Sequence, residues 1–135
     1  HPGGIGGTFG GNPVAAAAAV SVLKQLETGV PFQEAKRIEN ILVSRLTEMK
    51  AKYPVIGDIR GRGAMIAVEF VEPGTLNPNS AVVDAVIKFC NQNGVVLLNA
   101  GTYSNVIRFL PPLVITDDLL HDALNVLDSA LASQH

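Results

Sequence analysis

Of the 135 residues, none is tryptophan, one is cysteine, three are histidine, and only 16% carry charge. Each scarcity excludes something. The lone Cys90 can form no intrachain disulfide, which fits a reducing compartment. His1, His121 and His135 are scattered, so they supply neither a metal-ligand cluster nor a Ser-His-Asp arrangement. A formal net charge of −2 gives no basis for a nucleic-acid or anionic-membrane partner. No apolar run approaches the roughly 18 residues that would span a bilayer. No basic-then-apolar leader opens the chain either, and a cytoplasmic protein is expected.

What is plentiful is glycine at the start. Six glycines fall within the first eleven residues, in His-Pro-Gly-Gly-Ile-Gly-Gly-Thr-Phe-Gly-Gly, and Asn12-Pro13 then opens a helix. Such a stretch loses much backbone entropy on ordering and buries no side chain, so a domain rarely begins there. It predicts a backbone that approaches something closely and a chain whose natural start lies upstream. Phe9 stands where a dinucleotide fingerprint needs its third glycine and no strand precedes it; no Gly-Lys-Ser/Thr follows either. What remains is Thr8, one hydroxyl beside flexible amides that can face an anionic oxygen, or else a turn that only lets helices pack.

Further along, the periodicity predicts a helix with Val14, Ala18, Val22 and Leu26 on one stripe, ended by Gly29. A second helix opens at Pro31, with Phe32, Ala35, Ile38, Leu42, Leu46 and Met49 inward. Ile56–Arg60 and Ala64–Val71 read as strands around a Gly61-Arg62-Gly63 turn. A third helix is capped by Ser80 and carries Cys90 on its apolar stripe. Val95–Leu98 and Val106–Leu110 are short strands, and Thr116 caps a last helix with Asp117 and Asp118 in its first turn. The order predicts an α/β (α+β) fold: a small, mainly antiparallel sheet with helices on one face.

Arg108 is a charge within the apolar strand Val106-Ile107-Arg108-Phe109-Leu110. Its fork suits a substrate carboxylate; equally, it can turn to solvent or pair with Glu69. Arg60 and Arg62, near Asp58, read as surface pairs. No lysine lies in a loop or strand-end setting suited to trapping a carbonyl, so no complete catalytic set is expected in this chain.

Three stretches together carry a resemblance: Gly3-Gly4-Ile5-Gly6-Gly7-Thr8-Phe9-Gly10-Gly11-Asn12-Pro13, Arg60-Gly61-Arg62-Gly63-Ala64-Met65-Ile66-Ala67-Val68-Glu69, and Gly101-Thr102-Tyr103-Ser104-Asn105-Val106-Ile107-Arg108-Phe109-Leu110-Pro111-Pro112-Leu113. The chain resembles the C-terminal part of class III aminotransferases, and within them those acting on 4-aminobutyrate. The resemblance implies a fold type I scaffold, pyridoxal 5′-phosphate as cofactor, a homodimer, and amino-acid and 2-oxo-acid substrates. It implies that Gly7 and Thr8 reach the cofactor phosphate bound in the other subunit and that Arg108 grips the substrate carboxylate. It further implies that residues 1–29 end a large cofactor domain and residues 30–135 form the small C-terminal one. The family's Schiff-base lysine, pyridine-facing aspartate and phosphate cup lie upstream of the Gly-Gly-Thr stretch and are not in this sequence. A fragment inactive by itself is therefore expected. Acetylornithine, ornithine and diamine aminotransferases are alternatives within the class, and a non-catalytic ligand-binding or dimerisation module is one outside it.

Overall fold

The computed structural model describes residues 6–134. The Gly3-Gly4-Ile5 part of the first motif, with His1 and His135, lies outside the described residues. The chain divides into two compact units, one running to Gln33 and the other starting at Glu34.

In the first unit, residues 8–11 turn, with the Gly10 N–H donating to the Gly7 carbonyl at 3.1 Å and that of Asn12 to Phe9 at 3.3 Å. Asn12 caps α1 (Pro13–Glu27): its side chain accepts from the Ala15 N–H, and Pro13 at the first position needs no acceptor. Its apolar stripe is not buried. Val14 is 79% exposed and Val22 56%, and no residue of α1 is buried. Its five consecutive alanines give this helix favourable propensity.

From Glu34 onward, three helices cover one face of a four-stranded antiparallel sheet. The helices are α2 (Val30–Lys52), α3 (Ser80–Gln92) and α4 (Asp117–Ala132), and the strands are β1 (Ile56–Arg62), β2 (Met65–Phe70), β3 (Leu98–Ala100) and β4 (Val106–Phe109). Strand order is β1-β2-β4-β3, so β4 inserts between β2 and the short edge strand β3. Alternation decides the faces. Ile66, Val68, Phe70 and Ile107 point to the helices and are at most 1% exposed. They meet Ile38, Leu42, Leu46 and Met49 of α2, Val83, Val86 and Cys90 of α3, and Leu120, Leu124, Leu127 and Leu131 of α4. Truncating one such side chain costs about 2–5 kcal/mol. An exposed ion pair contributes about 0–1 kcal/mol, so the core holds the helices to the sheet. Phe32, expected inward, is 63% exposed.

Two elements depart from expectation. Asn79, not Ser80, caps α3, its Oδ1 accepting from the Val82 N–H at 3.2 Å. The third strand is Leu98–Ala100 rather than Val95–Leu98. After α3 the Gly94 N–H donates to Asn91 and that of Val95 to Cys90 at 2.9 Å. That C-terminal closure holds Val95 to the helix and delays strand pairing. At the β1–β2 turn, Gly61 has φ +145°, and a Cβ there would lie 2.1 Å from the Met65 carbonyl oxygen. Only glycine fits this close crossing.

Candidate functional site

The face of the sheet away from the helices is open, and the register arrays its side chains in rows. Arg60 pairs with Ala67, Ala67 with Arg108, and Arg108 with Leu98. In the next row Asp58 pairs with Glu69, Glu69 with Val106, and Val106 with Ala100. Arg108 thus stands in the middle of the open face, flanked by the small Ala67 on one side and Leu98 on the other. It is exposed.

Its ionic surroundings were left open by the sequence, and the structure decides between them. Glu69 is engaged elsewhere: Arg60 Nη1 donates to Glu69 Oε2 at 2.6 Å and to Asp58 Oδ2 at 2.9 Å. Arg60 therefore holds the Asp58 carboxyl below the usual carboxylate range. Among the described residues Arg108 has neither a salt bridge nor a side-chain hydrogen bond. A guanidinium that cannot shed its proton, set on a strand and left without an anion, is suited to an external carboxylate.

The loop before β4 fixes where that guanidinium sits. Gly101 has φ +84°, and a Cβ there would come 2.9 Å from Val106 Cγ2. The loop backbone thus presses onto Val106, which is 5% exposed although it belongs to the open face. Ser104, at φ 53°, is the one non-glycine residue with positive φ among the described residues. Asn105 follows, 2% exposed, with its Nδ2 donating to the Phe70 carbonyl at 2.9 Å and reaching Glu69 Oε1 at 3.4 Å. The Phe70 N–H returns a bond to the Asn105 carbonyl at 2.8 Å. Sequence reasoning passed over Asn105 as loop; an amide directly before an apolar strand was the available signal.

Beyond β4, Arg37 fastens the connection to α4. Its Nη2 donates to the Ile115 carbonyl at 2.7 Å, its Nε to Glu34 at 2.8 Å, and its Nη1 to Asp117. A groove of about 690 Å³ runs beside that connection. Val95, Leu98, Phe109, Leu110, Ile115 and Leu119 line it, with Arg108 and Asp122 its only charged lining residues.

Gly7 and Thr8 stand in the first unit, both exposed. A Cβ on Gly7 would meet nothing within 4 Å. Among the described residues the Thr8 hydroxyl and the Thr8 and Phe9 amides have no acceptor. Residues 6–13 carry no basic side chain. No cluster of His, Cys, Asp or Glu among the described residues could hold a metal ion, and no described helix is long and apolar enough to cross a membrane.

Against known proteins, the family model described as aminotransferase class-III matches residues 1–131. A 4-aminobutyrate aminotransferase of Mycobacterium tuberculosis is 45% identical over 132 residues, which is 98% of this chain and 29% of that protein. A 5-aminovalerate aminotransferase of Pseudomonas putida is 44% identical over 131 residues, 97% of this chain and 31% of that protein. Among solved structures, a phospholyase from Arthrobacter in complex with phosphoethanolamine matches with a TM-score of 0.83 at 29% identity, covering 96% of this chain and 31% of that one. The chain spans about three-tenths of the length of these relatives.

Proposed function

This chain belongs to the aminotransferase class-III family, and from that premise we propose that it carries the substrate-carboxylate grip of a pyridoxal 5′-phosphate-dependent transaminase. The reaction assigned to the whole enzyme is transfer of the amino group of 4-aminobutyrate to 2-oxoglutarate. The observation that carries this reading is Arg108: a permanent cation, strand-mounted on an open face, whose diagonal neighbour Glu69 is already bound by Arg60. Both substrates present a carboxylate to such a fork, and bidentate capture would fix which end of the molecule faces the reacting carbon.

Gly7 and Thr8 fit the cofactor phosphate as donors, through the Thr8 hydroxyl and the adjoining amides. In this proposal they serve the cofactor bound in the partner subunit of a homodimer, while residues 1–29 finish the large domain and 30–135 form the small one. When bound, the cofactor supplies the electron sink for the carbon that exchanges its amino group. This chain's part is to orient: Arg108 the substrate, Thr8 the phosphate. The attacking lysine would come from sequence upstream of Gly7.

A second donor, 5-aminovalerate, is favoured by a specific observation, the near-equal identities of 45% and 44% to the two relatives. It differs from 4-aminobutyrate by one methylene, and Arg108 reads only the carboxylate they share. Steady-state rates of the full-length enzyme with each donor, before and after Arg108→Ala, test the whole reading. The variant is expected to lose about two to three orders of magnitude in kcat/KM for carboxylate substrates, while an amine lacking a carboxylate is little affected. Equal losses for both would remove Arg108 from the site.

A further inference from the structure

Glu69 has an arginine diagonal to it on either side. Arg60 on β1 and Arg108 on β4 both pair with Ala67, two residues before Glu69 on the same face. Diagonal neighbours in an antiparallel sheet lie roughly 7–8 Å apart, within reach of a glutamate–arginine pair. Yet Glu69 takes only one of the two. Its Oε2 accepts from Arg60 at 2.6 Å, and the buried Asn105 amide reaches its Oε1 at 3.4 Å, so both carboxylate oxygens have partners other than Arg108. The alternative pairing would be costly for a binding site. An internal carboxylate on the neighbouring strand acts at an effective concentration of millimolar or more, comparable to a free substrate.

We propose that Arg60 is a positioning residue for the carboxylate site: by holding Glu69, it keeps that acid from occupying the Arg108 guanidinium. This rests on Arg108 as the carboxylate grip. Arg60 touches no substrate in this scheme and acts through Glu69 alone. Its side chain is 50% exposed and that of Glu69 34%, so the pair contributes little to folding. Its role therefore shows in binding, where freeing Glu69 lets it compete with substrate and lowers the fraction of molecules with a vacant guanidinium.

The test uses the full-length, cofactor-loaded enzyme and the variants Arg60→Met, Arg60→Lys, Arg60→Met/Glu69→Gln and Arg108→Ala. Arg60→Met is expected to raise KM for the carboxylate substrates about fivefold, the reduction in competent sites that an ordinary exposed ion pair produces. Its kcat is expected to stay within about twofold. Arg60→Lys, which keeps a cation beside Glu69, is expected to hold KM near the starting value. Adding Glu69→Gln to Arg60→Met removes the competing charge and is expected to bring KM back down. Should Arg60→Met fail to fold, Arg60→Gln carries the same expectation. An unchanged KM in Arg60→Met while Arg108→Ala raises it overturns the positioning role and leaves the grip standing. A raised KM that the double variant does not reverse does the same. If Arg108→Ala leaves KM unaltered, the grip itself falls, and the role of Arg60 with it.

Discussion

Asn105 is the residue on which the geometry of the site turns. Its buried side-chain amide joins the end of β2 to the start of β4 by donating to the Phe70 carbonyl, beside the main-chain bond from the Phe70 N–H to the Asn105 carbonyl. Removing a buried partner leaves polar groups to be desolvated for nothing, at about 1–3 kcal/mol. Asn105→Ala is accordingly expected to lower stability by about 2 kcal/mol, read from the urea midpoint of the folded protein. An unchanged midpoint would mean that the main-chain ladder alone holds the two strands. Cys90 is inert by comparison: burial pushes its thiol up to about 11, so it is protonated near neutrality and serves as packing. At this scale the sequence exposed Arg108, because a charge inside an apolar strand is visible locally. It did not expose the vacancy around Arg108. That depends on Glu69 choosing Arg60, a pairing set by the register of three strands.

Helix ends supply the next level of detail. The Tyr53 hydroxyl donates to Asp128 Oδ1 at 2.7 Å, and the Lys52 ammonium lies 3.2 Å away, so the end of α2 is fastened to α4. Tyr53 foremost, then Lys52, hold the Asp128 carboxyl below its ordinary range. The sign follows from linkage. A depressed carboxylate pKa stabilises the fold fully above the unfolded value, near about 4, and the contribution disappears as pH falls through the lower folded value. Denaturant midpoints measured down through that range are expected to fall less steeply for Asp128→Asn than for the parent; identical slopes would remove this contact as a contributor. Most helices and strands were legible from periodicity and caps, since Thr116, Asn12 and Pro13 act within one turn. The start of β3 was not, because the closure at Gly94 and Val95 uses hydrogen bonds that hydrophobic pattern does not report. The exposure of α1 is a separate matter: an apolar stripe records a helix, not what covers it.

For the molecule as a whole, the expected outcome is a folded chain without transaminase chemistry. The unit from Glu34 onward has its own continuous core, whereas Lys24, Lys36, Lys50, Lys52 and Lys88 all lie in helices. Titrating the isolated 135-residue chain with pyridoxal 5′-phosphate is expected to give no stable protein-bound absorbance band and no amino transfer from 4-aminobutyrate. A saturable band with turnover would overturn this. The two-faced sheet has another consequence. Along β2 and β4, Ile66, Val68, Phe70 and Ile107 point to the core, while Met65, Ala67 and Arg108 point the other way. Met65 is 53% exposed and Leu98 57%. Selection can therefore rewrite the neighbours of Arg108 one at a time without repacking the interior. A shared scaffold of this kind can drift among amino donors of different length and bulk, retuning its choice of substrate at little risk to the fold.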